Sequence, residues 1–353
     1  MQKGTDTEPR SPYARGMSTL RWRIGSRAAP TVLALCLAVP TFAQQAKSTA
    51  VIWHDRGDAA SLDLVGGPGG KAHEPGSVLR FIEESETGTS PKFEVEDEHG
   101  VRWKVKLGEE ARSETAATRL LWAAGYVVDE DYYRPQVRVL GLPKLARGQE
   151  FVSDGDIVTG ARLERQGGGG SDEAATWSWY NNPFVGTREF NGLKVMMALV
   201  NNWDLKDVNN RVSDTAEGGA QYGITDLGAT FGRTGNIITR SKSVSKDYAE
   251  TKFIAKVTAT HVDFVMQSRP FFPFVVHLPN YRERTRMQDI VKRIPIADAR
   301  WIGDRLGRLS AEQIRDAFRA SGFSPADIEV YTQVVVARIR ALQDLSPQVS
   351  HSF

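Results

Sequence analysis

The chain has 353 residues, 41% hydrophobic and 25% charged, with 45 Lys and Arg against 43 Asp and Glu. That length buries a sizeable core, in two domains or one two-lobed unit, and the composition is too apolar and too balanced for a disordered chain. A net charge of +2 gives no basis for nucleic-acid binding, and a single cysteine excludes a disulfide framework and any Cys-rich zinc site.

Arg21, Arg23 and Arg27 precede an apolar run from Ala28 to Val39, and Thr41-Phe42-Ala43 offers small residues where a signal peptidase cuts. This pattern predicts a secretory signal peptide over residues 1–43, with Met17 as an alternative start. The run is too short to span the ~30 Å of membrane hydrocarbon as a permanent helix. Cys36 follows Leu35, whereas a lipoprotein signal needs a small residue there. The expected mature chain begins after Ala43, lacks cysteine, carries a net charge of −2 and contains no membrane span. It is expected to be secreted or periplasmic.

Residues 44–85 read as an irregular N-terminal extension with one or two strands, broken by Gly66-Gly67-Pro68-Gly69-Gly70-Lys71. Val65 and Ala72 stand where a Walker loop needs a glycine and a hydroxyl, so this block is a turn. Alternating runs over 92–96 and 101–107 flank Asp97-Glu98-His99-Gly100 and predict a β-hairpin. Ser113 to Ala124 is helix sequence with Gly125 as its stop. Short strands are expected at 136–140, 150–152 and 158–163, and the glycines 167–170 as a surface loop.

Asn191 to Asn201 is an almost wholly apolar helix, in which Met196 and Met197 are read as core. Ser310-Ala311-Glu312-Gln313 is a capping box, and Ser324-Pro325 starts a helix to about Leu342. The expected class is α+β: a β-rich N-lobe over 86–165, a linker over 166–182, a mainly helical C-lobe over 183–345 and a tail over 346–353.

Three separated features carry chemistry. Lys106 ends a strand and Glu114 lies early in the next helix, a pairing that grips nucleotide phosphates, with Lys104 as the competing lysine. Asp204-Leu205-Lys206-Asp207-Val208-Asn209 presents a carboxylate for an acceptor hydroxyl, a lysine for phosphoryl charge and an amide for a metal. Spacing favours Asp204 over Asp207 as the acceptor-side acid. Asp226-Leu227-Gly228 ends a short strand, which suits Mg²⁺ ligation. A hairpin between Asn209 and Asp226 is expected to bring the two together.

In this order the motifs resemble the protein-kinase-like superfamily, with the better match to its atypical branches. Lys106-Leu107-Gly108-Glu109-Glu110-Ala111-Arg112-Ser113-Glu114 is similar to the strand-to-helix segment of phosphatidylinositol 3/4-kinases. Gly88-Thr89-Ser90-Pro91-Lys92 resembles the phosphate-binding turn of HipA-type kinases. The resemblance covers residues 88–235 and lacks Gly-x-Gly-x-x-Gly, His-Arg before Asp204 and Ala-Pro-Glu. It implies a two-lobed kinase-like fold with ATP and Mg²⁺ between the lobes. Ser90, Lys92, Lys106 and Glu114 would hold the nucleotide, Asn209 and Asp226 the metal, and Asp204 with Lys206 the transfer chemistry.

The acceptor is left open among protein, lipid, sugar and small molecule, as is nucleotidyl against phosphoryl transfer. A kinase-like module with no turnover, serving as an extracytoplasmic scaffold, is the alternative. Trp177-Ser178-Trp179-Tyr180 suggests glycan binding or, better, loop packing. No Gly-x-Ser-x-Gly occurs, and the six histidines form no ligand pair at helical spacing, so hydrolase and transition-metal chemistry are not expected.

Overall fold

The computed structural model describes residues 50–346, apart from 87, 89, 168–174, 216–217, 235–239 and 267–277. The expected signal peptide, most of the glycine run and the tail from 347 onward lie outside the described residues.

The N-terminal lobe is built from β2 (Leu79–Ser85), β3 (Lys92–Asp97), β4 (Arg102–Lys106), α1 (Glu110–Ala123), β5 (Asp131–Leu140), β6 (Val152–Ser153) and β7 (Ile157–Arg165), after a short β1 (Ala50–Val51). The strands run in the order β4-β3-β2-β5-β7-β6, and β4 also pairs with β7, so five of them close on themselves. Closure removes free strand edges and encloses a core of alternating inward residues, among them Phe93, Val95, Trp103, Val105 and Leu163. β2 falls within the segment read as an extension, yet it pairs with β3 and β5 and is part of this sheet. The glycine block at 66–71 forms 3-10 turns, as a turn reading requires.

Helix α1 is buried on almost every side, with Ala116, Ala117, Leu120 and Leu121 fully covered. It begins three residues before the Ser113 start suggested by sequence, because the Ser113 hydroxyl bonds inside the fold to the carbonyls of Glu110 and Gly228 and caps nothing. It stops at Gly125, whose φ of +105° and contact with Trp53 exclude a side chain.

The C-terminal lobe comprises α2 (Arg188–Leu199), β8 (Asn210–Asp214), β9 (Ala220–Ile224), α3 (Ser245–Glu250), β10 (Ile254–Val257), β11 (His261–Phe264), α4 (Leu278–Ile290), β12 (Ile294–Pro295), α5 (Ile296–Leu306), α6 (Ala311–Ala320) and α7 (Pro325–Gln343). The apolar helix α2 is central, with Met196 and Met197 fully buried. Both halves of the Ser310 capping box form, and the Ser324 hydroxyl caps α7. Helix α5 and the small β10-β11-β12 sheet were not anticipated. Trp177 and Trp179 are buried, and Trp177 donates to the Gly223 carbonyl, so these two rings pack inside the fold, while Tyr180 is exposed. Among the described residues no helix is long and apolar enough to cross a membrane.

Candidate functional site

Lys106 leaves the end of β4 and is almost wholly buried. Its Nζ lies 2.8 Å from Glu114 Oε2, 2.8 Å from Asp226 Oδ1 and 3.5 Å from Glu110 Oε2. Burial acts against the ammonium charge, but Glu114, Asp226 and Glu110 together hold its pKa above the ordinary lysine value. Lys104, two residues back on the same strand face, pairs with Glu164 at 3.4 Å and remains part-exposed. Of the two lysines, Lys106 is the deeper.

Glu114 is fixed from behind by Arg162, at 3.3 Å, while burial pushes its carboxyl pKa up. Arg162 in turn meets Asp131 at 2.9 Å and Glu164 at 3.0 Å, and Asp131 meets Arg119 at 3.0 Å. The partner of Lys106 is therefore one end of a buried chain of alternating charge. Such a chain contributes little net stability but fixes side-chain positions, because breaking any one pair strands a buried charge.

The loop after α2 carries the second group. Asn202 Oδ1 accepts from the Asp204 backbone N–H at 3.0 Å, and the Asn209 amide donates to the Asp204 carbonyl at 2.9 Å. The Asp204 carboxylate faces the cleft, with Lys206 Nζ at 2.8 Å. Asp207 points elsewhere: it receives Arg286 at 2.8 Å and the Trp179 backbone N–H at 3.1 Å. Of the two aspartates, only Asp204 lines the cleft.

β8 and β9 form the expected hairpin, with Asn210 opposite Ile224, and the Thr225 N–H donates to the Asn209 carbonyl at 3.0 Å. Asp226 follows with φ +50°, a left-handed conformation that costs a non-glycine residue on the order of 1 kcal/mol or more and is held by its surroundings. Ser113 and Thr230 supply that hold, linking α1 to the Asp-Leu-Gly turn through hydrogen bonds at 2.8 Å and 3.3 Å.

These groups line one cleft of about 470 Å³. Ser90, Lys92, Lys106, Asp204, Lys206 and Asp226 reach its wall, while Glu114 and Asn209 stand behind Lys106 and Asp204. Sequence reading assigned no role to Glu110, Trp203, Arg240 and Lys242, which also line it. Glu110 accepts from Ser90 Oγ at 2.7 Å and from Lys242 at 2.8 Å. Against its burial, Lys106, Lys242 and Ser90 bring its pKa down to about 2. One turn of helix separates Glu110 from Glu114, so starting α1 at residue 110 would have put both acids on the Lys106 face.

Asp226 and the Asn209 amide oxygen are hard donors of the kind Mg²⁺ takes. Among the described residues no group of three or more His, Cys, Asp or Glu could hold a metal. The donor set therefore fits an ion that shares its ligands with phosphates and water, and does not fit an all-protein cage.

No family model matches the sequence, and no curated protein matches it. Among solved structures the chain is similar to the Helicobacter pylori proinflammatory kinase CtkA, with a TM-score of 0.40 and 11% identity over 76% of this chain and 95% of that one. It is similar to the golgi casein kinase, with a TM-score of 0.35 and 8% identity over 84% and 76% of the two chains. It is also similar to the Rio2 kinase of the ADP/Mg²⁺-phosphoaspartate complex from Chaetomium thermophilum, with a TM-score of 0.30 and 13% identity over 75% and 72%. Those neighbours are kinases.

Proposed function

We propose that the protein is a kinase-like phosphotransferase that holds Mg²⁺ and ATP in this cleft and passes a phosphoryl group to an acceptor at Asp204. One observation carries the reading: a single buried ammonium, Lys106, is shared at 2.8 Å between the helix acid Glu114 and the strand-end acid Asp226. That junction ties the phosphate-gripping lysine to the metal-side carboxylate, the two charges a phosphoryl donor needs on either flank. Ser90 and Lys92 on the cleft wall support the likeness to a HipA-type phosphate turn. On the strength of the leader sequence we place the mature protein outside the cytoplasm.

When bound, Mg²⁺ would be held by Asp226 and Asn209 and would neutralise charge on the phosphate oxygens. Lys106 grips the phosphates, and Glu114 keeps its ammonium from turning away. Asp204, oriented by Asn202 and Asn209, takes or orients the proton of the acceptor hydroxyl. Lys206 beside it offsets the charge that builds up during transfer.

Isothermal titration and thermal shift with Mg²⁺ and a nucleotide panel test this directly. The wild type is expected to bind ATP in the presence of Mg²⁺. Lys106→Ala and Asp226→Ala are expected to weaken it by about 30-fold or more, the usual consequence of removing a charge from a close pair. Absence of binding with every nucleotide would overturn the enzyme reading and leave a scaffold.

A further inference from the structure

We infer that Ser90, Lys92, Lys106 and Lys242 form one cradle for a polyphosphate, and that Glu110 is its resident counter-ion, which the ligand displaces. This deepens the nucleotide reading and rests on it for the identity of the ligand.

The first observation is a like-charge pair. Lys92 and Lys106 stand directly opposite each other in the β3–β4 register, so both side chains leave the same face of the sheet toward the cleft. Like charges directly opposite are destabilising. Lys106 is compensated by three acids, but the Lys92 side chain makes no hydrogen bond or ion pair among the described residues. Burial first, then Lys104 and Lys106, pull the Lys92 pKa down against the opposing pull of Asp226.

The second observation is what surrounds Glu110. Ser90 Oγ at 2.7 Å, Lys242 Nζ at 2.8 Å and Lys106 Nζ at 3.5 Å converge on one carboxylate from three separate segments. A hydroxyl and two ammonium groups aimed at one point form a set of anion donors, and here a carboxylate of the chain itself receives them. The base of the Glu110 side chain packs on Gly228, where an added Cβ would lie 2.7 Å from Glu110 Cβ. Glu110 is the first residue of α1, and its long unbranched side chain can swing out while the helix stays in place. A polyphosphate brings more negative charge than one carboxylate and can reach Lys92 as well. It therefore outcompetes Glu110 for Ser90, Lys106 and Lys242.

Titration calorimetry with sodium tripolyphosphate and, separately, with Mg²⁺ and ADP tests this on the intact protein. Glu110→Gln keeps the shape and removes the competing charge, so it is expected to bind tripolyphosphate about tenfold tighter than wild type. Lys242→Met is expected to bind it about tenfold weaker. Glu110→Gln binding unchanged or weakened, or Lys242→Met binding unchanged, overturns the inference, as does absence of tripolyphosphate binding in every form. If tripolyphosphate follows the expected order while no nucleotide binds, the cradle stands and the nucleotide reading fails. If Mg²⁺ and ADP bind with no gain in Glu110→Gln, the nucleotide reading stands and displacement of Glu110 is ruled out.

Discussion

The two lobes bury opposite kinds of chemistry. Inside the N-terminal lobe Arg162 is fully covered and meets Glu114, Asp131 and Glu164. Inside the C-terminal lobe Phe231 meets Tyr248, Phe318 and Tyr331 with ring centroids 5.4, 5.1 and 5.6 Å away. That lobe also buries a cation, Arg338, but satisfies it with the carbonyls of Leu199 at 2.8 Å, Thr251 at 3.1 Å and Tyr248 at 3.2 Å. Arg338 thereby caps the end of α2 and ties it to α3 and α7, a structural task. Arg162 ties carboxylates to one another, and the chain it anchors ends on Lys106 in the cleft. Burying charge is expensive in both lobes; only in the first does the charge orient a site.

The largest effect should come from cutting the ionic chain at its centre. Arg162→Met leaves Glu114, Asp131 and Glu164 without their common cation, and is expected to cost about 4 kcal/mol of stability by urea unfolding. It should also weaken nucleotide binding, since Glu114 loses the support that aims it at Lys106. Phe231→Ala, which opens a cavity among three rings, is expected to cost about 3 kcal/mol and to leave nucleotide affinity as in the wild type. If the Phe231 variant lost binding as steeply as the Arg162 variant, the division between an orienting lobe and a framing lobe would not hold.

The same division explains what could be read in the sequence. Lys106 with Glu114, and Asn209 with Asp226, sit in local patterns of strand end, helix start and hairpin, whereas the meeting of Lys106 with Asp226, 120 positions on, is implied only by the resemblance. Glu110 and Lys242 are 132 positions apart, and no periodicity links them; only the closed fold brings them to 2.8 Å. Spacing favours Asp204 over Asp207, and the fold adds that Arg286 of α4 and the Trp179 N–H both hold Asp207. Helix α5 follows Pro295 with no capping side chain, so it lacked the Ser or Asp signal that announced α6 and α7. β2 escaped the N-lobe reading because its partners β3 and β5 come later in the chain.

The lobes meet at Asp129, and here the comparison can be sharpened by pH. Asp129 lies between α1 and β5, buried, with Arg211 of β8 at 2.5 Å. Burial first, then Glu164, push its carboxyl up to about 7, against the pull of Arg211 and Arg162. Its pKa in an unfolded chain is 3.8, so between that value and 7 the native state holds a proton that the unfolded state has lost. The stability this contributes is fully present below 3.8 and is lost as pH rises through about 7. Between pH 5 and pH 7 the loss comes to about 2 kcal/mol. Asp129→Asn keeps the shape and cannot ionise, so its stability should fall less over that interval by the same amount. Urea unfolding of both proteins at pH 5, 6, 7 and 8 reads the difference, and groups common to both cancel. Parallel curves would mean that Arg211 already holds Asp129 ionised at pH 5, making the junction a permanent ion pair that extends the charged interior of the first lobe into the second.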